Sequence, residues 1–265
     1  MQLDLEGKVV VVTGAGRGIG RAIAETFLRE RSTVVATDLD DDALSWFEPA
    51  RVEAGLDGAP VVCDVRSTES VRTAISQVVD LFGRIDVLVN NAGILGEGQI
   101  EATDAETWNQ VFEVNVTGTF RTCQAVMPTM KQQRSGRIIN AASFAAIVPS
   151  IGSAAYAASK AAVVQFTRTL AGELGPWNVT ANAYAPGMIP SAINNFTQQE
   201  EAVQNRLLDT LTIRRWGEAS DVSDLICFLA SDASRYITGT LVDVSGGKLA
   251  TQLPQRAYEI AGIHS

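Results

Sequence analysis

The chain has 265 residues, 46% hydrophobic and 19% charged, a balance that suits one sizeable globular domain. A net charge of −9 argues against nucleic acid as a partner, and no apolar run approaches the ~20 residues that span a bilayer. Cys63, Cys123 and Cys227 lie far apart and form no CxxC pair, so neither a disulfide framework nor a metal site is expected and a cytoplasmic setting is.

MQLDLEGKVVVV, at the start, places acids before a short apolar run and does not read as a secretory leader. Within it, KVVVVT (8–13) is β-branched and continuous, the pattern of a strand buried on both faces. A helical pattern follows over 18–31. Further strands are expected at 33–37, 60–64, 85–90, 137–142, 178–185 and 240–245. Between them, helical stretches are expected at 41–54, 67–83, 104–133, 154–175 and 218–231. This alternation predicts an α/β fold, a seven-stranded parallel sheet with helices on both faces. Ligands of such sheets bind beyond the C-terminal strand ends, so the chemistry should follow the strands.

The first strand runs into TGAGRGIG (13–20). Gly14, Gly16, Gly18 and Gly20, with Arg17 and Ile19 between them, stand between a strand and a helix start. Glycines let backbone N–H groups approach closely, and the helix start offers free donors to a pyrophosphate. Asp38 ends the second strand, eighteen positions after Gly20, where a carboxylate can bind a ribose 2′-hydroxyl and repel a 2′-phosphate. Arg17 pulls the other way, toward a 2′-phosphate. The balance predicts NAD rather than NADP. Asp64 and Val65 end the third strand, and the Asp64 carboxylate is expected to accept an adenine amino group, with a helix cap as the competing role. NNAG (90–93) ends the fourth. Asn90 is expected to bond backbone across neighbouring strand ends and Gly93 to leave room for a ribose, with Asn91 and Ala92 as further cofactor contacts.

The chain's one histidine, His264, sits next to the last residue and reads as a surface residue. Proton transfer therefore points to Tyr156 and Lys160 in YAASK (156–160), which lie at i and i+4 on one helix face. A tyrosine has an ordinary pKa of about 10, and a nearby ammonium favours its phenolate. Tyr156 can then take a proton from an alcohol, or give one to a ketone. Ser143, thirteen residues earlier, can hold the substrate oxygen. Asn115, in EVNVTG, lies within a long helix where it caps nothing; its functional reading is to hold a water that links Lys160 to solvent.

Together, TGAGRGIG, Asp64-Val65, NNAG, Asn115, Ser143, YAASK and NAYAPG (182–187) resemble the short-chain dehydrogenase/reductase family from about Leu5 to Gly247. The resemblance implies a single Rossmann-type doubly wound domain over 1–247. It implies Tyr156 as acid/base, Lys160 lowering the tyrosine pKa and binding the nicotinamide ribose, Ser143 orienting substrate and Asn115 supporting the relay water. It further implies that Pro186, Gly187, Ile189 and Ser191 meet the nicotinamide end, Ser191 standing where threonine is usual. Ser245 replaces the usual aspartate of the last strand end. A homotetramer paired through the helices carrying Asn115 and Tyr156 is implied as well.

The segment 188–216 is expected to cover the substrate. From 188 to 205 it has no lysine or arginine, which leans toward a small hydroxyl or carbonyl compound without a strong charge. Ser143, Phe144, Ser153, Tyr156, Gly187 and Met188 are the expected substrate contacts, with Ile147, Ser150 and Tyr184 as further lining. This predicts an NAD-dependent dehydrogenase of a polyol, sugar or sugar-derived acid. The alternatives are an NADPH-dependent carbonyl or 3-oxoacyl-carrier-protein reductase and, remotely, a non-catalytic dinucleotide sensor. The extension 248–265 carries Leu249, Leu253, Tyr258, Ile260 and Ile263 and is expected to pack on the domain or a neighbouring subunit.

Overall fold

The computed structural model describes residues 3–190, 196–248 and 250–263. Its strands are β1 (Val9–Thr13), β2 (Thr33–Asp38), β3 (Gly58–Val62), β4 (Val87–Asn90), β5 (Gly136–Ala141), β6 (Val179–Pro186) and β7 (Leu241–Val244). They form one seven-stranded sheet in the order β3-β2-β1-β4-β5-β6-β7, all neighbours parallel. The helices are α1 (Gly18–Arg29), α2 (Phe47–Ala54), α3 (Thr68–Phe82), α4 (Ala105–Phe112), α5 (Thr119–Gln133), α6 (Ala154–Leu174), α7 (Glu201–Leu208), α8 (Ala219–Ala230) and α9 (Gln255–Ala261).

β1 shows why the sheet is covered on both faces. Val10 and Val12 enter one core with Ile23 and Phe27 of α1 and Val222 and Ile226 of α8. Val9 and Val11 enter the other, with Val71 and Ile75 of α3, Val126 of α5 and Leu170 of α6. Successive strand residues point to opposite faces, so an unbroken valine run is what two cores require. β1 lies between β2 and β4, where the strand order reverses and a crevice opens at the C-terminal ends.

Three elements depart from the sequence expectation, each for a local reason. The second helix begins at Phe47 rather than 41, after a short 3₁₀ turn at Asp42–Leu44. Asp40 accepts the Asp42 N–H at 3.0 Å, the turn-forming habit of aspartate. β3 starts two residues early and ends at Val62, because Gly58 passes so close to β2 that a Cβ would lie 2.4 Å from the Val34 carbonyl oxygen. As an edge strand it tolerates Pro60. The expected helix over 104–133 is three pieces, α4 and α5 joined by a π-helical stretch at Glu113–Gly118.

Candidate functional site

The glycine loop is held by contacts that leave no room for side chains. A Cβ on Gly20 would stand 2.0 Å from the Gly14 carbonyl oxygen, and one on Gly14 would stand 2.8 Å from Ala92 Cα. Gly14 and Gly18 also adopt positive φ, +64° and +57°. At the start of α1, Arg17 is extended and no side chain caps the helix. Ser67 and Asp104, by contrast, cap α3 and α4. The first N–H groups of α1, around Gly18, Ile19 and Gly20, are thus left for an anion, which fits a dinucleotide pyrophosphate.

The loop is tied to β4 by Asn91, whose amide donates to the carbonyls of Thr13 (3.2 Å) and Gly14 (3.1 Å). The Thr13 hydroxyl accepts from the N–H groups of Asn91 and Ala92 at 3.0 and 3.1 Å. The cross-strand role expected of Asn90 therefore belongs to Asn91. Asn90, one residue earlier, points to the opposite face, where its amide donates to Asn140 at 2.9 Å and accepts the Thr122 hydroxyl at 2.6 Å.

Asp38 faces the loop from the end of β2. Its carboxylate accepts the Gly16 N–H at 2.9 Å and the Leu39 N–H at 2.8 Å, and a Cβ on Gly16 would lie 2.8 Å from its Oδ2. Arg17 is exposed. Asp64 lies two residues beyond β3, and Ser67 rather than Asp64 caps α3. Its carboxylate is held by Arg66, at 2.9 Å from both Nε and Nη2, and that hydrogen bond keeps it below the usual carboxylate range. An adenine amino group would share this carboxylate with a guanidinium. Val65 is buried against Gly118 of the π-helical stretch.

The four expected catalytic residues converge between β4, β5 and α6. Asn115 occupies the π-helical stretch, a distortion that recurs at functional sites. Its amide donates to the Ile94 carbonyl and the Ser159 hydroxyl, each at 3.0 Å, and its oxygen accepts the Ile94 N–H at 2.9 Å. Both amide hydrogens are thus used within the chain. The side chain stitches the loop after β4 to α6. Lys160 is buried, its ammonium donating to the Ala141 carbonyl at 2.8 Å and lying 5.7 Å from the Tyr156 ring centre. Gly93 closes this group, since a Cβ there would meet Asn115 Oδ1 at 3.2 Å and Lys160 Nζ at 3.3 Å.

Electrostatics differ from the expectation of a lowered tyrosine pKa. Burial raises the Tyr156 pKa, and a hydrogen bond with the Ser143 side chain opposes that rise only in part. Burial likewise pushes Lys160 down to about 8. Taking charge out of water is the largest cause for both groups. Ser143 also accepts the Ala145 N–H at 3.1 Å, which fixes its direction.

Of the expected substrate contacts, Phe144 follows Ser143 and is half-buried, while Ser153 donates to the Ser150 carbonyl at 2.7 Å. Pro186 and Gly187 continue β6, with Met188 and Ile189 buried behind them. A Cβ on Gly187 would lie 2.5 Å from Ser245 Cα, so the last strand end packs directly on this corner. Ser191 lies outside the described residues, as do Leu249 and His264. Tyr184 is not pocket lining. It is fully buried, its hydroxyl donating to Asn91 at 3.2 Å.

A cation lies near the expected substrate contact Phe144, outside the 188–205 window. Lys248, which directly follows Gly246 and Gly247, places its ammonium 5.1 Å from the Phe144 ring centre. The 188–205 window misses it because it arrives from the next strand end. Its position after β7 was the available signal. The extension docks on its own chain through Tyr258, whose hydroxyl donates to the Thr212 carbonyl at 2.8 Å and accepts the Arg214 N–H at 3.1 Å. Among the described residues no helix is long and apolar enough to cross a membrane, and no group of three or more acidic, histidine or cysteine side chains could hold a metal.

Comparison with known proteins agrees with this geometry. A family model described as enoyl-(acyl carrier protein) reductase matches residues 14–248. The 3-oxoacyl-[acyl-carrier-protein] reductase of Thermotoga maritima is 38% identical, covering 92% of this chain and 99% of that protein. The Escherichia coli protein of the same name is 34% identical, covering 92% and 98%. Among solved structures, levodione reductase superposes with a TM-score of 0.89 at 30% identity, covering 93% of this chain and 99% of that one. NAD+-bound xylitol dehydrogenase gives 0.87 at 32%, covering 92% and 100%. The reading as a polyol or sugar dehydrogenase is overturned by the reductase names of these sequence relatives. The chain is an oxidoreductase acting on the CH–OH/ketone couple with a nicotinamide cofactor, and it belongs to the short-chain dehydrogenase/reductase family.

Proposed function

We propose that the protein reduces the ketone of a 3-oxoacyl thioester to the 3-hydroxyacyl product. The observation that carries this reading is the placement of Tyr156 one helical turn from Lys160, whose ammonium stands 5.7 Å from the Tyr156 ring centre. A phenol so placed can give its proton to a ketone oxygen, and the reductase names of the sequence relatives support that direction. The 3-oxoacyl class is supported by the sequence relatives named for that reaction.

When bound, the nicotinamide would supply a hydride to the ketone carbon. Tyr156 would give its hydroxyl proton to the carbonyl oxygen, Ser143 would donate a hydrogen bond to the same oxygen, and Lys160 would hold the cofactor ribose beside the phenol. Asn115 keeps Gly93, Ile94 and α6 in register around Lys160. Pro186, Gly187 and Ile189 meet the nicotinamide end, Gly14 to Gly20 the pyrophosphate, and Asp64 and Val65 the adenine side. Asp38 supports a cofactor with a free ribose 2′-hydroxyl, NADH in the reducing direction. A homotetramer is supported by aromatic side chains left on α4, α5 and α6. Trp108 and Phe120 are 40% and 45% exposed, and Phe120 meets Phe166 edge-on. Residues 1–247 act as the catalytic unit in a cytoplasmic enzyme.

The test follows the absorbance of reduced nicotinamide with the N-acetylcysteamine thioester of 3-oxobutanoate, against xylitol and cyclohexanol with the oxidised cofactor. Consumption with the thioester and none with the alcohols supports the reading. Turnover confined to the alcohols overturns it.

The pH profile checks the Lys160 assignment. Its ammonium persists below about pH 8 and is lost above it, whereas the raised phenol keeps its proton through that range. Ketone reduction should hold level below about pH 8 and fall above it. Lys160→Arg keeps the charge at all these pH values and should flatten the falling limb. A limb that stays in place in that variant would assign it to another group.

A further inference from the structure

Lys248 is half-buried at the end of β7, and burial lowers its pKa. Its ammonium donates to the Thr210 hydroxyl at 2.8 Å and stands 5.1 Å from the centre of the Phe144 ring. None of the salt bridges among the described residues involves it. An ammonium has three donors, and here one is used. Arg214 is paired with Asp209 at 2.8 Å and Arg215 with Asp221 at 2.8 Å. Among the described residues Lys248 has no carboxylate partner.

Its location is also specific. The turn that carries it packs through Ser245 on Gly187, on the nicotinamide side of the site, and Lys248 reaches from there to Phe144, next to Ser143. Serine and threonine hydroxyls steer this turn: Ser245 accepts the Lys248 N–H at 3.2 Å, and Thr212 donates to the Gly247 carbonyl at 2.8 Å. Holding a cation part-way out of water costs free energy, and no carboxylate among the described residues offsets it.

We propose that Lys248 is a specificity-determining residue that receives an anionic oxygen group of the ketone substrate, a carboxylate or a phosphate, beside Phe144. This builds on the ketone-reductase reading and adds a charged group to its substrate. A lysine suits this task because it is a compact point charge that serves either anion.

Three substrates separate the sources of charge: the N-acetylcysteamine thioester of 3-oxobutanoate, which is neutral; free 3-oxobutanoate, which carries a carboxylate; and the 4′-phosphopantetheine thioester, which carries a phosphate. In Lys248→Met, kcat/KM for one of the anionic substrates, taken relative to the neutral one, should fall at least about tenfold, the size of a lost hydrogen bond to a charged group. Lys248→Arg should restore most of that ratio. The substrate whose ratio falls identifies the anion. A ratio unchanged for both anionic substrates overturns the proposal. Calorimetric binding of 3-oxobutanoate and of 4′-phosphopantetheine to the nucleotide-loaded protein reads Lys248 without turnover. Binding lost in Lys248→Met while no thioester is reduced would retain the Lys248 assignment and sink the reductase reading. Equal binding in both proteins, or none in the wild type, overturns the assignment.

Discussion

Tyr156→Phe is expected to lower kcat by about three orders of magnitude, within the range that a positioned general acid contributes. Phenylalanine keeps the ring and removes only the hydroxyl, so packing on α6 survives. The ring's neighbours are the Lys160 ammonium at 5.7 Å and the Ser143 side chain, and neither depends on the phenol for its position. Lys160 is anchored by the Ala141 carbonyl and Ser143 by the Ala145 N–H. Nucleotide affinity should therefore change by no more than about twofold, as expected when a group acting in the transition state is removed. Fluorescence titration with reduced nicotinamide, beside steady-state rates, checks both halves. A variant retaining a tenth or more of wild-type turnover would remove Tyr156 from the proton-transfer role. One that loses nucleotide binding would show the phenol to be part of the cofactor site instead.

How far such roles could be read in advance depended on what fixes each residue. β1 and its glycine loop were legible because valine runs and closely spaced glycines have few other uses. The two cores and the 2.0 Å approach at Gly20 are their direct physical consequences. Tyr156 and Lys160 were legible because one helical turn places them together. Asn90 and Asn91 were not separable, since the strand's exact register decides which of two identical side chains faces the loop, and adjacent residues point to opposite faces. The π-helical stretch at 113–118 has no periodic signature of its own. It is imposed by the bonds of Asn115 to Ile94 and Ser159, 21 and 44 residues away along the chain. The contact of Lys248 with Phe144 and the docking place of Tyr258 were not legible for the same reason. Their contacts with Phe144 and with Thr212 are made between distant segments, and only the folded chain brings them together. Spacing also gives proximity to a charge but not depth of burial, the largest cause acting on the Tyr156 phenol.

The second large effect is expected at Asp38, in the choice between the two nicotinamide dinucleotides. Asp38→Ala should shift the ratio of kcat/KM for NADH over NADPH by roughly 100-fold toward NADPH. A unit charge near a doubly charged phosphate, at a few ångströms and an effective dielectric of about 20, is worth several kcal/mol before solvent reduces it. Two opposed changes make up the shift. NADH loses a carboxylate that can accept from the ribose hydroxyls. NADPH gains by removal of a repulsion, with the exposed Arg17 left to meet its phosphate. The substitution also takes from the Gly16 and Leu39 N–H groups their acceptor, so part of the loss with NADH would come from a looser loop. Asp38→Asn separates these terms, because its amide oxygen can still serve one of the two N–H groups without a charge. If charge governs the choice, Asn should reproduce most of the shift toward NADPH while keeping more NADH activity than Ala. If both variants lose the two cofactors equally, Asp38 acts only as a brace for the glycine loop, and Arg17 sets the preference.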